Sequence, residues 1–445
     1  MRKDITPVVM LAAAIMFSAC SAGEPLISSH PETSSRAITT SSEAWNASEE
    51  EPEGTASSGA DEAIPKETED YIIDPMFETE DYLEGYDNLI GTSGFGKSVV
   101  FNDTTVYFIK PLGGKYLYYY DRATGFSDVL CGKPNCLHND DTCEGYIGSS
   151  APGLFLYDGK LYWVSETAEG KETLSKDWRL MRCNPDGSGR ESVFTIEREL
   201  ILKYQPQEYY LHRGYLYFSG DTGIVGANGR AGHLISVMGF SLKDNGKRIT
   251  ILEKECEGGA THQKLMFSGN SIYYAYAVSN GKDSFGEIDC FNLRNRKTET
   301  VWREYSEETE RPLFHENAFW LEEEMFYAAT FTERGTILKR LENGRWEEIY
   351  APEEGHEVFI SGGLAVETTS GGLEGNGIKV NIHDLSGKKI YEGIIRTEKE
   401  MTSTILCGGN SEELFLVIWE QKGEGKMHLA RIDIRNQTPP EIIIE

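Results

Sequence analysis

From about residue 95 the chain alternates short apolar runs with polar turns, and the alternation recurs. One run with paired aromatic or apolar residues reads Val106-Tyr-Phe-Ile109, Leu161-Tyr-Trp-Val164, Leu216-Tyr-Phe-Ser219 and Ile272-Tyr-Tyr-Ala275. It continues as Met325-Phe-Tyr-Ala328, Leu364-Ala-Val366 and Leu414-Phe-Leu-Val417. The first intervals are 55, 55, 56 and 53 residues, and the later ones are shorter. A fixed spacing of this kind marks a repeated supersecondary unit.

Each run is preceded by a shorter apolar stretch and followed by a strand that ends in turn residues. Examples are Tyr118 to Gly125, Leu180 to Gly189, Gly239 to Gly246 and Leu338 to Gly344. Asn, Asp and Gly at those ends reach positive φ at low cost, as hairpins require. A fourth short strand then follows, as in Ser192-Val-Phe-Thr195, Ile249-Thr-Ile-Leu252 and Glu441-Ile-Ile-Ile444. Four strands per unit, seven units and no long amphipathic helix predict an all-β β-propeller of about seven four-stranded blades. Such blades bury their faces against one another in a ring. Units 1 and 6 are irregular, so six or eight blades, or a pair of β-sandwiches, are the alternatives.

The first 75 residues break this pattern. Arg2 and Lys3 precede a short apolar run, Val8 to Phe17, and then Phe17-Ser18-Ala19-Cys20. Ten apolar residues are too few to span a bilayer, and the arrangement is that of an export signal. Small residues directly before a cysteine resemble a bacterial lipobox, with Cys20 as the lipidated mature N-terminus. Phe17 stands where that pattern usually has Leu, and an ordinary secretory signal cleaved near Ala19 or Ala22 is the alternative. Residues 21–75 carry 13 acidic and 2 basic side chains among Ser, Thr, Ala, Pro and Gly. Such a tract cannot bury enough surface to offset its ordering entropy. The predicted organisation is a lipoprotein signal over 1–19, a disordered acidic linker over 20–75 and a propeller domain over 76–445. That places the protein on the extracytoplasmic face of a bacterial membrane, held by its N-terminal lipid.

Composition narrows the partners. The formal net charge is −29 over 445 residues, with 72 Asp and Glu against 43 Lys and Arg. Nucleic acids and anionic lipid surfaces call for the opposite sign, so no nucleic-acid partner is expected.

Candidate chemistry is concentrated in one stretch, Cys131-Gly-Lys-Pro-Asn-Cys136-Leu-His138-Asn-Asp-Asp-Thr-Cys143. It falls between the fourth strand of the first unit and the first strand of the second, as a rim loop between blades. Three thiolates and an imidazole could bind zinc or another soft metal tetrahedrally, although one residue between Cys136 and His138 is an unusual spacing. A disulfide, for instance between Cys136 and Cys143, is equally compatible with an exported chain. Free thiols are the third state. In either bonded form the expected role is to staple the loop, with no catalysis. Cys183, Cys256, Cys290 and Cys407 fall in different units and read as buried small apolar residues.

The motif Leu-Cys-Gly-Lys-Pro-Asn-Cys-Leu-His followed by Asp-Asp-Thr-Cys resembles that of a family of β-propeller-like surface lipoproteins of anaerobic Firmicutes. Those chains share a lipobox, an acidic Ser/Thr tether and Tyr-rich blade strands. The resemblance implies a surface-anchored propeller and implies no activity. Asn184-Pro-Asp-Gly-Ser188 is similar to a turn of periplasmic TolB-type propellers. The same five residues match the start of a calcium loop, but position 12 is Thr195 where that loop needs a bidentate Glu.

The sequence holds no G-x-S-x-G elbow, H-E-x-x-H pair or phosphate-binding glycine loop. Nine histidines are scattered, and only His138 reads as lying near other likely ligands. Tyr116, Tyr118, Tyr119 and Tyr120 read as inter-blade packing, with stacking on sugars as the alternative. The expected function is a binding or scaffold module for an extracellular glycan, peptide or protein. An envelope accessory protein and an exported glycan-active enzyme with carboxylates at the channel mouth are the alternatives.

Overall fold

Seven antiparallel four-stranded sheets make up the protein, each built from four strands consecutive in sequence. They form the blades of a seven-bladed β-propeller: blade 1 spans 99–129, blade 2 150–196, blade 3 209–257, blade 4 259–306, blade 5 319–350, blade 6 356–396 and blade 7 401–444. This computed structural model describes residues 75–87, 99–109 and 116–444. Excluded from the last range are 149, 169–175, 205, 207–208, 226–230, 258, 280–283, 307–318, 323, 333–334, 354, 370–376, 397–400 and 421–426. The predicted signal segment 1–19, the lipidation site Cys20 and the predicted linker up to residue 74 lie outside the described residues.

The ring closes through its first strands. Those of blades 1 and 2, 2 and 3, 4 and 5, 5 and 6, 6 and 7, and 7 and 1 lie side by side. Blade 4 meets blade 3 through that blade's second strand, Tyr215–Val225. Among the described residues no blade borrows a strand from the other end of the chain, and side chains pack across the seam between blades 7 and 1. Phe415 and Val417 pack there with Val106 and Phe108. Phe101 tilts against Phe415, and the Arg122 guanidinium bonds Glu413 while lying over both rings.

Apolar clusters fill each space between blades: blades 1 and 2, 2 and 3, 3 and 4, 4 and 5, 5 through 7, and 7 back to 1. This explains the paired aromatics that mark the repeat. The second strand of a blade is covered on both faces, so it reads as a continuous apolar run and not as an alternation. Leu216, Tyr217 and Phe218 are all fully buried, as are Leu414, Phe415 and Leu416. The Tyr116–Tyr120 run is packing: Tyr118 stacks on Phe108, and Tyr120 joins the seam cluster.

Turn chemistry follows the sequence in most blades. Asn343 and Gly344 both take positive φ, 50° and 77°, as a tight hairpin between twisted strands demands. In blades 4 and 7 the left-handed residues are Arg296 and Gln437, each one place past an Asn, Asn295 and Asn436. The cause in blade 4 is Asn292, whose Oδ1 accepts the N–H groups of Arg294 and Asn295 and so moves the reversal along.

Two elements outside the repeat brace the ring. A two-turn helix, Arg198–Tyr204, joins blades 2 and 3 and buries Leu200, Ile201 and Tyr204. Before blade 1, residues 75–87 are pinned to blades 3 and 4 by Arg213, which is fully buried. Its guanidinium donates to both oxygens of Asp87 at 2.6 and 2.9 Å. It also reaches Asn270 Oδ1 and the carbonyls of Met76, Thr79 and Asp81.

Candidate metal centre

The loop between blades 1 and 2 is built from backbone pairing and two glycine contacts. Leu130 donates its N–H to Leu117 O, and Leu117 donates to Gly145 O, so the chain leaves blade 1 and returns along its third strand. Gly145 is required by close approach: a Cβ there would stand 2.3 Å from Val129 Cγ1. Tyr116 and Tyr146 bridge the loop edge with rings 5.6 Å apart. Blade 2 supports the loop from below. Arg190 donates to Glu144 O at 2.6 Å with its guanidinium over Trp163, and Gly187 rests against Leu130. The Asn184–Ser188 turn is closed by its own hydrogen bonds, with Asp186 Oδ1 accepting from both the N–H and the hydroxyl of Ser188.

This frame brings together the four residues singled out in sequence. One ligand atom from each of Cys131, Cys136, His138 and Cys143 lies within 4.8 Å of the others. None of the three cysteines is in a disulfide. The donor set fits a metal ion of tetrahedral preference, for which bonds of about 2.3 Å to sulfur are usual. Local backbone detail supports the fit. Asn135 and His138 take left-handed φ of 59° and 50°, which folds the two ligand-bearing turns inward. Burial opposes the Cys131 thiolate, but N–H groups of Lys133 and Glu144 and the neighbouring thiols outweigh it and lower its pKa. The Cys143 thiol is pushed up to about 12, chiefly by burial and in part by Cys131 and Cys136, against an N–H from Gly145. Neighbouring thiols that cannot all ionise together are what a divalent cation resolves, since it takes them as thiolates. His138 Nδ1 is 3.2 Å from Cys143 Sγ, and its Nε2 faces Asp128 Oδ1 at 4.0 Å. A carboxylate behind the second ring nitrogen is the usual orienting partner of a ligating histidine. A bound metal would supply order to this loop: apart from Pro134 its apolar side chain is Leu137, which is 81 % exposed.

The remaining described cysteines are elsewhere. Cys183, Cys256 and Cys290 are buried in three different blades, and burial raises all three pKa values, that of Cys183 to about 11. The side chain of Cys407 lies outside the described residues.

Two polar clusters were not anticipated from the sequence. Between blades 3 and 4, Lys254 bonds Glu287 Oε1 and the Tyr276 hydroxyl and stands 3.4 Å from Asp289 Oδ2. Arg303 takes the other Glu287 oxygen. Burial works against the Glu287 carboxylate, but Arg303, Lys254 and Tyr276 hold it at about 2, while burial raises Asp289. The second cluster corrects the expectation that only His138 has ligand-type neighbours. On blade 6, His356 and His383 flank Glu367, with Glu353 beside His356. Glu353 and His356 are three residues apart, and strand pairing brings Glu367 and His383 to them.

No family model matches this sequence. The chain is 24% identical over 189 residues to WD repeat-containing protein 1-A of Xenopus laevis, covering 37% of this chain and 29% of that protein. It is 23% identical over 206 residues to WD repeat-containing protein 1 of Xenopus tropicalis, covering 42% and 32%. The chain thus spans about a third of the length of these curated relatives. Among solved structures it is similar to the polysaccharide lyase Uly1, with TM-score 0.45, 11% identity and 81% and 95% of the two chains covered. It is also similar to an oligogalacturonate lyase in complex with manganese, with TM-score 0.39, 12% identity and 61% and 73% covered. A third is the propeller domain of the Trilobed protease of Pyrococcus furiosus, with TM-score 0.42, 10% identity and 78% and 99% covered.

Proposed function

We propose that this protein is a lipid-anchored extracytoplasmic β-propeller. It captures a glycan, peptide or protein on the ring, and loop 131–143 is a rim element stiffened by a structural zinc ion. The observation that carries this reading is the convergence of Cys131, Cys136, His138 and Cys143 on the blade 1–2 rim. A loop that ordered itself by apolar burial would hide Leu137. This loop exposes it between two of the four ligands, which suits a held surface that meets a partner. The zinc would be bound through the three thiolates and His138 and would act on loop order alone. Anchoring rests on Phe17-Ser-Ala-Cys20 and on the acidic tract that follows. A chain of about 60 flexible residues reaches roughly 45 Å, enough to hold a domain off a membrane surface.

The test is a binding panel. The full chain, purified without oxygen, is titrated against envelope glycans, muropeptides and peptides, and the mixtures are then analysed for products. The expected result is saturable binding of one class with the ligand recovered intact, weakened by at least tenfold in Leu137→Asp. New reducing ends or unsaturated sugar products would favour the glycan-active enzyme and overturn the binding reading. A ligand bound equally well by Leu137→Asp would remove the rim loop from the reading.

A further inference from the structure

The face of blade 6 that packs on blade 5 carries a second set of ligand-type side chains. Alternation along the strands puts His356, Glu367 and His383 on that face, with His356 and His383 diagonal to Glu367 on the two flanking strands. As between blades 3 and 4, a buried carboxylate sits here among polar groups: Glu367 is only 1% exposed.

Glu367 is held ionised. Burial opposes its charge, but the Tyr350 hydroxyl, the Glu353 N–H at 2.9 Å and His356 outweigh it and lower its pKa. Its Oε1 faces His356 Nδ1. Its Oε2 accepts from Tyr350 and lies 3.3 Å from His383 Nε2. His383 Nδ1 is 3.2 Å from Gly387 O, which can only accept, so Nδ1 carries a hydrogen. His383 Nε2 lies 3.0 Å from the Tyr350 oxygen. The ammonium on this side, Lys379, is 2.9 Å from Glu353 on the exposed edge.

We infer that Glu353, His356 and Glu367 form a binding site for one first-row divalent cation, with His383 and Tyr350 orienting Glu367 from behind. One ligand atom from each of the three lies within 4.8 Å of the others. An imidazole with two carboxylates suits a harder cation such as Mn²⁺ or Co²⁺, whereas the cysteine-rich rim loop selects zinc. Glu353 Oε2 is 3.9 Å from His356 Nε2, and its side chain is 55% exposed. Its carboxylate holds the Lys379 ammonium, so it reaches the ion by exchanging that partner, and it opens the site to solvent. The backing of Glu367 by a hydroxyl and a second imidazole is the outer layer that metal-binding carboxylates require. The ion would tie the connection at Glu353 to blade 6 beside Tyr350, the last residue of blade 5.

Cobalt separates the two centres. The full chain, purified without oxygen and stripped of metal, is titrated with Co²⁺ and followed by absorption. The expected result is two equivalents. One gives strong thiolate-to-cobalt charge transfer and is lost in Cys143→Ser. The other gives only weak visible bands and survives that change. His356→Gln and Glu353→Gln each weaken the second equivalent by at least tenfold and leave the first untouched. Glu353 is exposed, so Glu353→Gln keeps its unfolding temperature in the absence of metal, and the loss cannot be assigned to misfolding. A single equivalent with only weak bands overturns the rim-loop reading instead, whereas a single equivalent that carries the thiolate charge transfer overturns the inference. So does a second equivalent that neither substitution weakens.

Discussion

Replacing Lys254 with Met tests how the interface between blades 3 and 4 is held. Lys254 is the one cation, among the described residues, that approaches both Glu287 and Asp289. The side chains of those two carboxylates are 0% and 6% exposed. Held at about 2 against an ordinary 4.5, the Glu287 carboxylate contributes at most about 3 kcal/mol at neutral pH. Because its folded pKa is depressed, that contribution is present above about 4.5. It is lost as the pH falls towards 2. Asp289 acts the other way. Its folded pKa is raised, so its charge costs stability at neutral pH, and protonation relieves that cost. Removing one partner of a buried pair costs roughly 3–5 kcal/mol. Arg303 still holds Glu287 after the change, which brings the expected loss to about 2–3 kcal/mol. Urea denaturation at pH 8 and at pH 4 measures it. The loss should be largest at pH 8 and clearly smaller at pH 4, where Asp289 takes up a proton. A loss below about 0.5 kcal/mol, the size of an exposed ion pair, or one equal at both pH values refutes the reasoning.

Further outcomes follow from the packing. Gly145→Ala places a methyl 2.3 Å from Val129 Cγ1 and 3.0 Å from Leu130 O. It should cost about 1–3 kcal/mol by thermal or urea unfolding and weaken metal uptake by the rim loop. Arg213→Lys keeps the charge and loses the forked contact to Asp87. It should free residues 75–87 to rapid amide exchange while the blades stay protected. Arg122→Ala removes the bond to Glu413 across the blade 7–1 seam. It should lower the unfolding free energy by about 1–3 kcal/mol and increase exchange at that seam before any other. Cys20→Ala should move the protein from membrane to medium. A mutant that stays membrane-bound with an unchanged mass contradicts the anchor.

Much of the fold was legible because each second strand, such as Leu216-Tyr-Phe-Ser219, is covered on both faces and so carries an unbroken apolar signal. The rim loop was legible for another reason: its four ligand residues lie within 13 positions, so spacing alone gathers them. The blade 6 cluster was legible only in its Glu353–His356 pair, because Glu367 and His383 join it only after strands pair. The Lys254–Glu287 contact crosses two blades and was not legible. The helix Arg198–Tyr204 is a seven-residue element, too short for a 3.6-residue period to stand out. The Asn295 to Arg296 shift depended on a side-chain cap at Asn292 that composition does not reveal.

The most direct measurement is X-ray absorption at the metal edge, with metal analysis, on the chain purified without oxygen. The account predicts one zinc per chain with about three sulfurs at about 2.3 Å and one nitrogen near about 2.0 Å. Cys143→Ser should lose this zinc. Protein free of metal, with Cys131, Cys136 and Cys143 all reactive or two of them joined in a disulfide, would contradict it.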